Sequence, residues 1–533
     1  MTREEPGLII HGARVYTNDP GQPWADAVAV QGDRIFAVGR DSDLLNLPGR
    51  WQRRDGSGLL VLPGLTDSHT HWTWYALSLI QVNLEGIASL EEALAEVAKA
   101  AAVKQPGEVI YGSGWNKNLW SGFPTRHDLD RVAPDNPVVL GSKDGHATWV
   151  NTRAIERCEL DAQTTDPDGG QLLREADGYP SGIFLERAAV YLEPLYESVM
   201  PADPRPMYRR SFEEAWRMGL TGIHSCEGRD TLPILQQLEA DGQLGLRTYI
   251  LFPQHDLEAA IGFGLRQGFG PELLKIGSVK AFADGALGPQ TAYMLDDYEG
   301  RPDYRGIATQ SKEQLLELAR KATDHSFSLA IHAIGDRANR EVLDVYETVL
   351  DRSRERGLRH RIEHAQLLQA QDIPRFAQLG VIASVQPLHA TSDRYIADRY
   401  WGARARYAYA FGSLLRSGAR LTLGSDVTVE SCDPRLGIYA AVTRKRAEEP
   451  EVPAWYPEER LPIEEVIRGY TEGPAYASFR ENRLGRVAAG YLADLTILDT
   501  DILADPESVL RARVAGTMVG GRLVYAEEGC WLK

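Results

Sequence analysis

The sequence predicts an α/β protein built on a (β/α)8 TIM barrel, with a large insertion after strand 1 and a small composite β-sandwich made by the two ends of the chain. Three observations support this fold among the 533 residues. Short apolar runs alternate with longer helical patterns, which is typical of βα units around a parallel sheet. Their spacing scatters around the roughly 30 residues of one βα unit. Both termini carry β-rich runs with turn signals.

Eight apolar runs are the candidate barrel strands. They cover residues 60–67, 220–225, 246–252, 275–283, 328–333, 360–363, 381–385 and 421–424. The gap between His71 and Leu220 is far longer than one βα unit, so it predicts an inserted subdomain at about residues 75–215.

The two ends of the chain predict one small domain. Residues 8–16 and 27–38 near the start, and 493–499 and 514–524 near the end, are rich in β-forming residues. Such distant segments can pair into one composite sheet domain. We therefore expect a β-sandwich from residues 1–60 and 485–533, and a metal-dependent barrel from residues 61–484.

The composition restricts the possible functions. The formal net charge is 58 − 75 = −17, which disfavours nucleic acid or an anionic membrane as a partner. The four cysteines are scattered and predict neither a disulfide framework nor a cysteine zinc site. No apolar stretch approaches the roughly 18 residues of a membrane span, and the start lacks signal-peptide features. We expect a cytoplasmic protein.

The strongest chemical signal is a pair of alternating histidines at the end of the first predicted barrel strand. They are His69 and His71, within the segment PGLTDSHTH at residues 63–71. Residues i and i+2 of a strand share a face, so both imidazoles can point at one ion. A lone pair of this kind is also found as ordinary surface or core histidines.

Further polar residues fall at the ends of later strands. Lys280, His332, His364 and Asp426 lie at or just after predicted strands 4, 5, 6 and 8. These C-terminal strand ends form the face where barrel active sites are built. Imidazole and carboxylate donors favour a borderline metal such as zinc, with manganese, iron, cobalt and nickel as alternatives.

A second set of residues consists of candidate contacts for a substrate. It comprises Trp115, His146, Arg337, Gln386 and His389. Each of them could instead have a packing, capping or ion-pair role. The tryptophans of the insertion favour a small-molecule substrate with a hydrophobic or aryl group.

Taken together, these motifs resemble the amidohydrolase superfamily, and within it the amidohydrolase family 3 group of YtcJ-like proteins and N-substituted formamide deformylases. The matching segments occur in order along nearly the whole chain. They are residues 63–71, 144–151, 280–288, 331–339, 361–366, 383–387, 423–426 and 484–494. The group is functionally diverse, so the resemblance does not identify a substrate.

The resemblance implies a role for each candidate ligand. His69 and His71 would hold one metal ion, and His332 and His364 a second. Lys280 would bridge the two as a carboxylated lysine, and Asp426 would bind the first metal and act as general base. A structural ion pair is the alternative for Lys280, and Glu186 is the alternative bridge. One or two metal ions per chain, most simply Zn²⁺, and a homodimer are also compatible with the resemblance.

The expected activity is that of a metal-dependent hydrolase acting on carbon–nitrogen bonds other than peptide bonds. The bond would belong to an amide, an N-formyl or N-acyl amine, or a cyclic amide, and metal-activated hydroxide would be the nucleophile. In the deaminases of the superfamily that this chain resembles, a glutamate typically stands three residues after the histidine of strand 5. Here Gly335 stands three residues after His332, which disfavours deamination of a heterocycle. The sequence is also compatible with ester or lactone hydrolysis, with a non-catalytic scaffold and with a Schiff-base lyase that uses Lys280.

Overall fold

The computed structural model describes residues 6–117, 119–120, 122–142, 147–167, 170–196 and 199–529, without the side chains of residues 186 and 187. The chain divides into two compact units. One unit joins Met1–Trp72 to Phe212–Lys533, and the other is Thr73–Ser211.

The first unit contains the predicted barrel. Its parallel strands follow one another around the sheet in chain order, and a bridge between Thr70 and Val427 links the last segment to the first strand. The strands, numbered 1 to 8 in this order, are Leu65–Thr70, Leu220–Cys226, Arg247–Pro253, Leu274–Phe282, Leu329–Ala333, Arg361–His364, Ile382–Val385 and Leu421–Leu423. Most of their residues are buried, which explains why they read as continuous apolar runs rather than as alternating patterns. The predicted fold class is confirmed.

The prediction of one strand over residues 60–67 is wrong. Leu60–Pro63 pairs with Arg14–Tyr16 and Leu495–Leu498 in a small sheet, and the first barrel strand begins at Leu65. Gly64 separates the two strands. A Cβ atom there would lie 2.3 Å from Thr221 Oγ1, so the crossing point requires glycine.

Helices cover the barrel between and after the strands. The bounds are Arg205–Arg217, Leu232–Ala240, Leu257–Gly262, Lys312–Asp324, Asp336–Thr348, Leu350–Glu355, Ile373–Leu379, Pro387–Ser392, Arg394–Trp401, Phe411–Arg416, Pro434–Thr443, Ile463–Tyr470 and Glu472–Ala477. Short 3₁₀ segments span Gln254–Asp256, Gly402–Tyr407, Pro457–Glu459 and Pro506–Leu510. Ser311 and Gln314 form a capping box that fixes the start of Lys312–Asp324.

Two small sheets from the ends of the chain form the predicted β-sandwich. The four-stranded sheet has the order Arg34–Gly39, Ala27–Gln31, Gly7–His11 and Trp51–Asp55, and the helix Asp41–Leu44 follows its second hairpin strand. The six-stranded sheet has the order Arg522–Ala526, Val514–Val519, Leu495–Leu498, Leu60–Pro63, Arg14–Tyr16 and Trp24–Ala25. Ile10 and Val28 of one sheet share a core with Val61 and Ile497 of the other.

The second unit is built on a mixed sheet. The strand order is Gly170–Arg174, Pro180–Glu186, Ala147–Val150, Val138–Ser142, Ile110–Trp115 and Val82–Asn83. Its helical segments are Leu90–Ala101, Arg126–Asp130, Thr152–Arg157, Arg187–Leu192 and Glu193–Tyr196, and Trp72–Ser78 leads into the unit. Trp115, Trp120 and Trp149 pack against one another with ring centroids 5.9–6.3 Å apart.

Within the described part of the chain, no helix is both long enough and apolar enough to cross a lipid bilayer.

Candidate metal centre

Four imidazoles surround one carboxylate at the C-terminal ends of the barrel strands. Asp426 Oδ1 lies 3.5 Å from His69 Nε2 and 3.4 Å from His71 Nε2. Asp426 Oδ2 lies 3.9 Å from His364 Nδ1 and 3.8 Å from His389 Nε2. The two oxygens of one aspartate therefore face two different pairs of histidines.

The backbone at this cluster adopts conformations that L residues rarely take. His364 has φ 73° and Asp426 has φ 62°. Asp426 N–H donates to His69 O at 2.8 Å, which ties the loop after strand 8 to strand 1. Non-glycine residues with positive φ are concentrated at functional sites, where the surrounding structure holds them.

A hydrogen bond on the far side of its ring orients His69. Nδ1 lies 2.5 Å from Glu363 Oε2, and both side chains are buried. The Arg361 guanidinium in turn donates to both oxygens of Glu363. Nδ1 of His69 is therefore the protonated nitrogen, which leaves the Nε2 lone pair directed at Asp426.

Burial lowers the pKa of His69, His332 and His364 and keeps these three imidazoles neutral. Burial, reinforced by the positive charge of Lys280, lowers the pKa of His69 to about 4 and that of His332 to about 3. Burial also works to raise the pKa of Asp426, but His71, His69 and His364 outweigh it and hold that pKa well below its usual value. Neutral imidazoles and an ionised carboxylate are the protonation states that ligate a metal.

His332 is close to this cluster but is oriented differently. Its ring centroid is 4.6 Å from that of His364, while its Nε2 lies 2.9 Å from Gly285 O. Asp284 fixes the surrounding loop, because its carboxylate accepts from the N–H groups of Ile334 and Gly335. Burial raises the pKa of Asp284 to about 7.

Lys280 is buried on strand 4, next to His332. Its Nζ lies 5.0 Å from the ring centroid of Phe282, and no hydrogen bond or ion pair of Nζ is found among the described residues. The ion pair with Asp284 or Asp426 that would have given Lys280 a structural role is therefore not formed in this part of the chain. Since the side chain is 4% exposed and forms no ion pair here, its amine is open to a ligand or a modification at the strand ends.

The cluster fits a divalent cation of the borderline class. Ligand atoms of His69, His364 and Asp426 lie within 4.8 Å of one another, as do those of His69, His71 and Cys226. Asp426 Oδ1 and His389 Nε2 are buried and accept or donate no hydrogen bond in the described structure. Imidazole and carboxylate donors with unused lone pairs are the groups that Zn²⁺ and its neighbours bind.

The predicted substrate contacts have different surroundings. Gln386 Oε1 lies 2.9 Å from His364 Nδ1, and His389 stacks on His364 with ring centroids 6.0 Å apart. Arg337 pairs with Glu341 at 3.0 Å and covers the ring of Tyr293, so its guanidinium is engaged outside the cluster.

Three predicted residues lie in the second unit. Trp115 is 1% exposed, and its Nε1 donates to Leu140 O at 2.8 Å, so packing in the core of that unit accounts for it. His146 lies outside the described residues. Glu186 ends a strand, and its side chain is not described.

Sequence reasoning missed two residues of the centre. Arg361 is buried beneath His69, and only its spacing of two from Glu363 in a strand, with both side chains on the inner face, could have indicated it. Cys226, at the end of strand 2, has Sγ 3.9 Å from His69 Nε2, and burial raises its thiol pKa to about 12. The position of Cys226 at the end of a predicted barrel strand is the sequence feature that could have indicated its place in the centre.

Known proteins share this architecture. The amidohydrolase family profile matches residues 53–525. YtcJ of Bacillus subtilis (strain 168) is 31% identical over 533 residues, covering 98% of this chain and 99% of YtcJ. N-substituted formamide deformylase of Arthrobacter pascens is 28% identical over 553 residues, covering 98% of this chain and 99% of the deformylase. These matches confirm the resemblance seen in the motifs.

A solved structure agrees with the fold. An uncharacterised metal-dependent hydrolase from Pyrococcus horikoshii OT3 superimposes with a TM-score of 0.80 at 27% identity, covering 94% of this chain and 99% of that one.

Proposed function

Because this chain belongs to the amidohydrolase family, we propose that it is a metal-dependent hydrolase that cleaves a C–N bond in an amide, an N-formyl or N-acyl amine, or a cyclic amide. The observation that carries the proposal is the group of imidazoles around Asp426, with His69 Nε2 and His71 Nε2 at 3.5 and 3.4 Å from its Oδ1. The relative named N-substituted formamide deformylase supports the choice of bond.

The proposed ligand set is the one that the sequence motifs imply. His69, His71 and Asp426 would hold one ion, and His332 and His364 a second, with carboxylated Lys280 as the bridge. The support for Lys280 is its position on the strand Leu274–Phe282, close enough for its charge to affect His69 and His332, and Zn²⁺ is the metal that the donors favour. A bound divalent ion would polarise the substrate carbonyl and lower the pKa of the attacking water.

Cys226 is a second candidate for the place of Lys280. Its sulfur lies within reach of the nitrogens of His69 and His71. Glu186 remains the third candidate bridge, proposed from the sequence.

The protein's own groups would manage the proton. Asp426 is held ionised beside the histidines, so its carboxylate can accept a proton from the attacking water and deliver it to the leaving nitrogen. His389 and Gln386 line the side of the cluster that faces Asp426 Oδ2 and His364, where they could contact the substrate.

A substrate with an apolar group is also part of the proposal. Phe282 ends strand 4 with 45% of its surface exposed, and its ring lies 5.2 Å from that of His332. An exposed aromatic ring beside the candidate ligands can pack against a hydrophobic or aryl substituent. The cytoplasmic location and the homodimer remain predictions from the sequence.

The test is a hydrolysis screen with N-formyl and N-acyl amines that carry alkyl or aryl substituents. Wild-type protein, metal-stripped protein and Asp426→Asn are compared by the amine released. We expect activity in the wild type, recovery in stripped protein after Zn²⁺ is returned, and almost none in Asp426→Asn. Equal hydrolysis by all three preparations would contradict the proposal.

A further inference from the structure

We infer that the buried pair Arg361–Glu363 is a positioning device that sets the ring orientation and tautomer of His69 for metal binding. The inference rests on the proposed metal site and deepens it. The role of the pair would be to orient one imidazole of the centre, that of His69, rather than only to stabilise the barrel.

The contact between Glu363 and His69 selects one nitrogen of the ring. Glu363 Oε2 lies 2.5 Å from Nδ1, so Nδ1 carries the proton and donates it to the carboxylate. Nε2 is then an acceptor, and it lies on the opposite side of the ring, 3.5 Å from Asp426 Oδ1. Hydrogen bonds of this kind fix the tautomer and the direction of a metal-binding histidine.

Arg361 holds Glu363 in turn and ties it to three other strands. Besides both Glu363 oxygens, its guanidinium donates to Ser68 O at 2.6 Å, to Ser384 Oγ at 2.6 Å and to His224 Nδ1 at 3.0 Å. These partners belong to strands 1, 7 and 2. The carboxylate therefore cannot rotate away from His69 without breaking contacts on several strands.

Two features separate this pair from an ordinary structural ion pair. A buried ion pair contributes little net stability over apolar residues of similar volume, so its presence under His69 calls for another reason. His364 has its Nδ1 beside the neutral amide of Gln386, so His69 alone of these two ligands receives a charged, doubly anchored acceptor.

The test varies the acceptor without leaving a buried charge unpaired. The double variants Arg361→Met/Glu363→Gln and Arg361→Met/Glu363→Leu both remove the ion pair, but only the first keeps an oxygen able to accept from His69 Nδ1. The probe is Co²⁺ added to metal-free protein, with the affinity and the visible absorption of bound Co²⁺ as readouts. The unfolding free energy of each metal-free protein is measured in parallel.

The matched control is Arg247→Met/Asp494→Leu, which removes a buried ion pair at the opposite end of the barrel. We expect Arg361→Met/Glu363→Leu to bind Co²⁺ about 10- to 100-fold more weakly than Arg361→Met/Glu363→Gln and with an altered spectrum. The control should keep wild-type affinity and spectrum, whatever its stability.

Equal Co²⁺ affinity in the two Glu363 variants would overturn the inference, and so would an equal loss in the control. If the double variants do not fold, Glu363→Asp replaces them, since it keeps the charge for Arg361 and shortens the reach to His69. Weaker Co²⁺ binding by Glu363→Asp supports the inference, and unchanged binding overturns it. A folded wild type that binds no Co²⁺ would contradict the proposed metal site itself, which separates that failure from the failure of the positioning role.

Discussion

The two ends of the barrel strands carry buried polar clusters with opposite properties. At the N-terminal ends, Arg247 donates to both oxygens of Asp494, which also accepts from Gly520 N–H at 2.7 Å. At the C-terminal ends, Asp426 Oδ1 and His389 Nε2 have no hydrogen-bond partner among the described residues. The Arg247–Asp494 pair is satisfied within the protein, whereas Asp426 Oδ1 and His389 Nε2 lack a well-directed partner among the described residues.

The difference shows how a polar cluster can be assigned to structure or to function. A buried polar atom without a partner costs about 1–3 kcal/mol, so such atoms persist where a ligand satisfies them. The Arg247–Asp494 pair instead joins a barrel strand to the sandwich, since Asp494 immediately precedes the strand Leu495–Leu498.

Replacing Asp426 by Asn should have the largest effect. The amide keeps the shape of the side chain but cannot take up a proton, so kcat should fall by about 10²- to 10⁴-fold. Most of the bound metal should remain, because the histidines are unchanged. Steady-state kinetics and elemental analysis of the same preparation check both parts, and near-normal turnover would remove Asp426 from the reaction.

Replacing Lys280 by Ala should lower the metal content from close to two ions per chain to close to one. The reason is that the bridge between the two halves of the site would be lost. Lys275→Ala is the matched control, because Lys275 lies on the same strand at its other end and donates to Gly270 O. Equal metal content in Lys280→Ala and in the wild type would shift the bridge to Cys226 or Glu186.

Replacing Arg247 by Met should destabilise the protein without changing its metal content. It leaves the buried Asp494 carboxylate without its cation, which costs about 3–5 kcal/mol. Arg511→Met, in an exposed ion pair with Asp505, should cost less than about 1 kcal/mol. Denaturant unfolding measures both, and a loss of metal in Arg247→Met would break the distinction between the two ends.

Replacing His360 by Asn should change the pH dependence of stability. Burial lowers the pKa of His360 from 6.5 to about 4. Its ring accepts from Leu329 N–H and contacts Ser353 Oγ. The contribution of the neutral ring to the free energy of unfolding is complete above pH 6.5. It is lost as the pH falls towards 4, because in this range the unfolded state binds a proton that the folded state does not. His360→Asn should reduce the change in unfolding free energy between pH 6.5 and pH 4 by up to about 3 kcal/mol. An unchanged profile would show that His360 does not titrate in this way.

Much of the fold could be predicted because it depends on local patterns. The eight apolar runs and the β-rich ends lie close to the observed strands, since fully buried parallel strands produce continuous apolar segments. The break at Gly64 is marked in the sequence only by Pro63-Gly64, and the partner strands Leu220–Cys226 and Leu495–Leu498 decide that two strands meet there. Tertiary pairing decides such cases.

The site was predictable in position but not in detail. Residue types at strand ends indicated that His69, His71, His364 and Asp426 would converge. The partner of His69 could not be read from the sequence, because Glu363 is 294 residues away along the chain. The orientation of His332 towards Gly285 O likewise depends on how the loop after strand 4 folds back.

A metal centre at the C-terminal ends of the barrel strands can be detected by elemental analysis. Wild-type protein purified without added metal is compared with His69→Asn/His71→Asn prepared in the same way. We predict close to two zinc-class ions per chain in the wild type and a clear loss in the double variant. A wild type without metal, even after incubation with Zn²⁺, or an equal metal content in both proteins, would contradict the account.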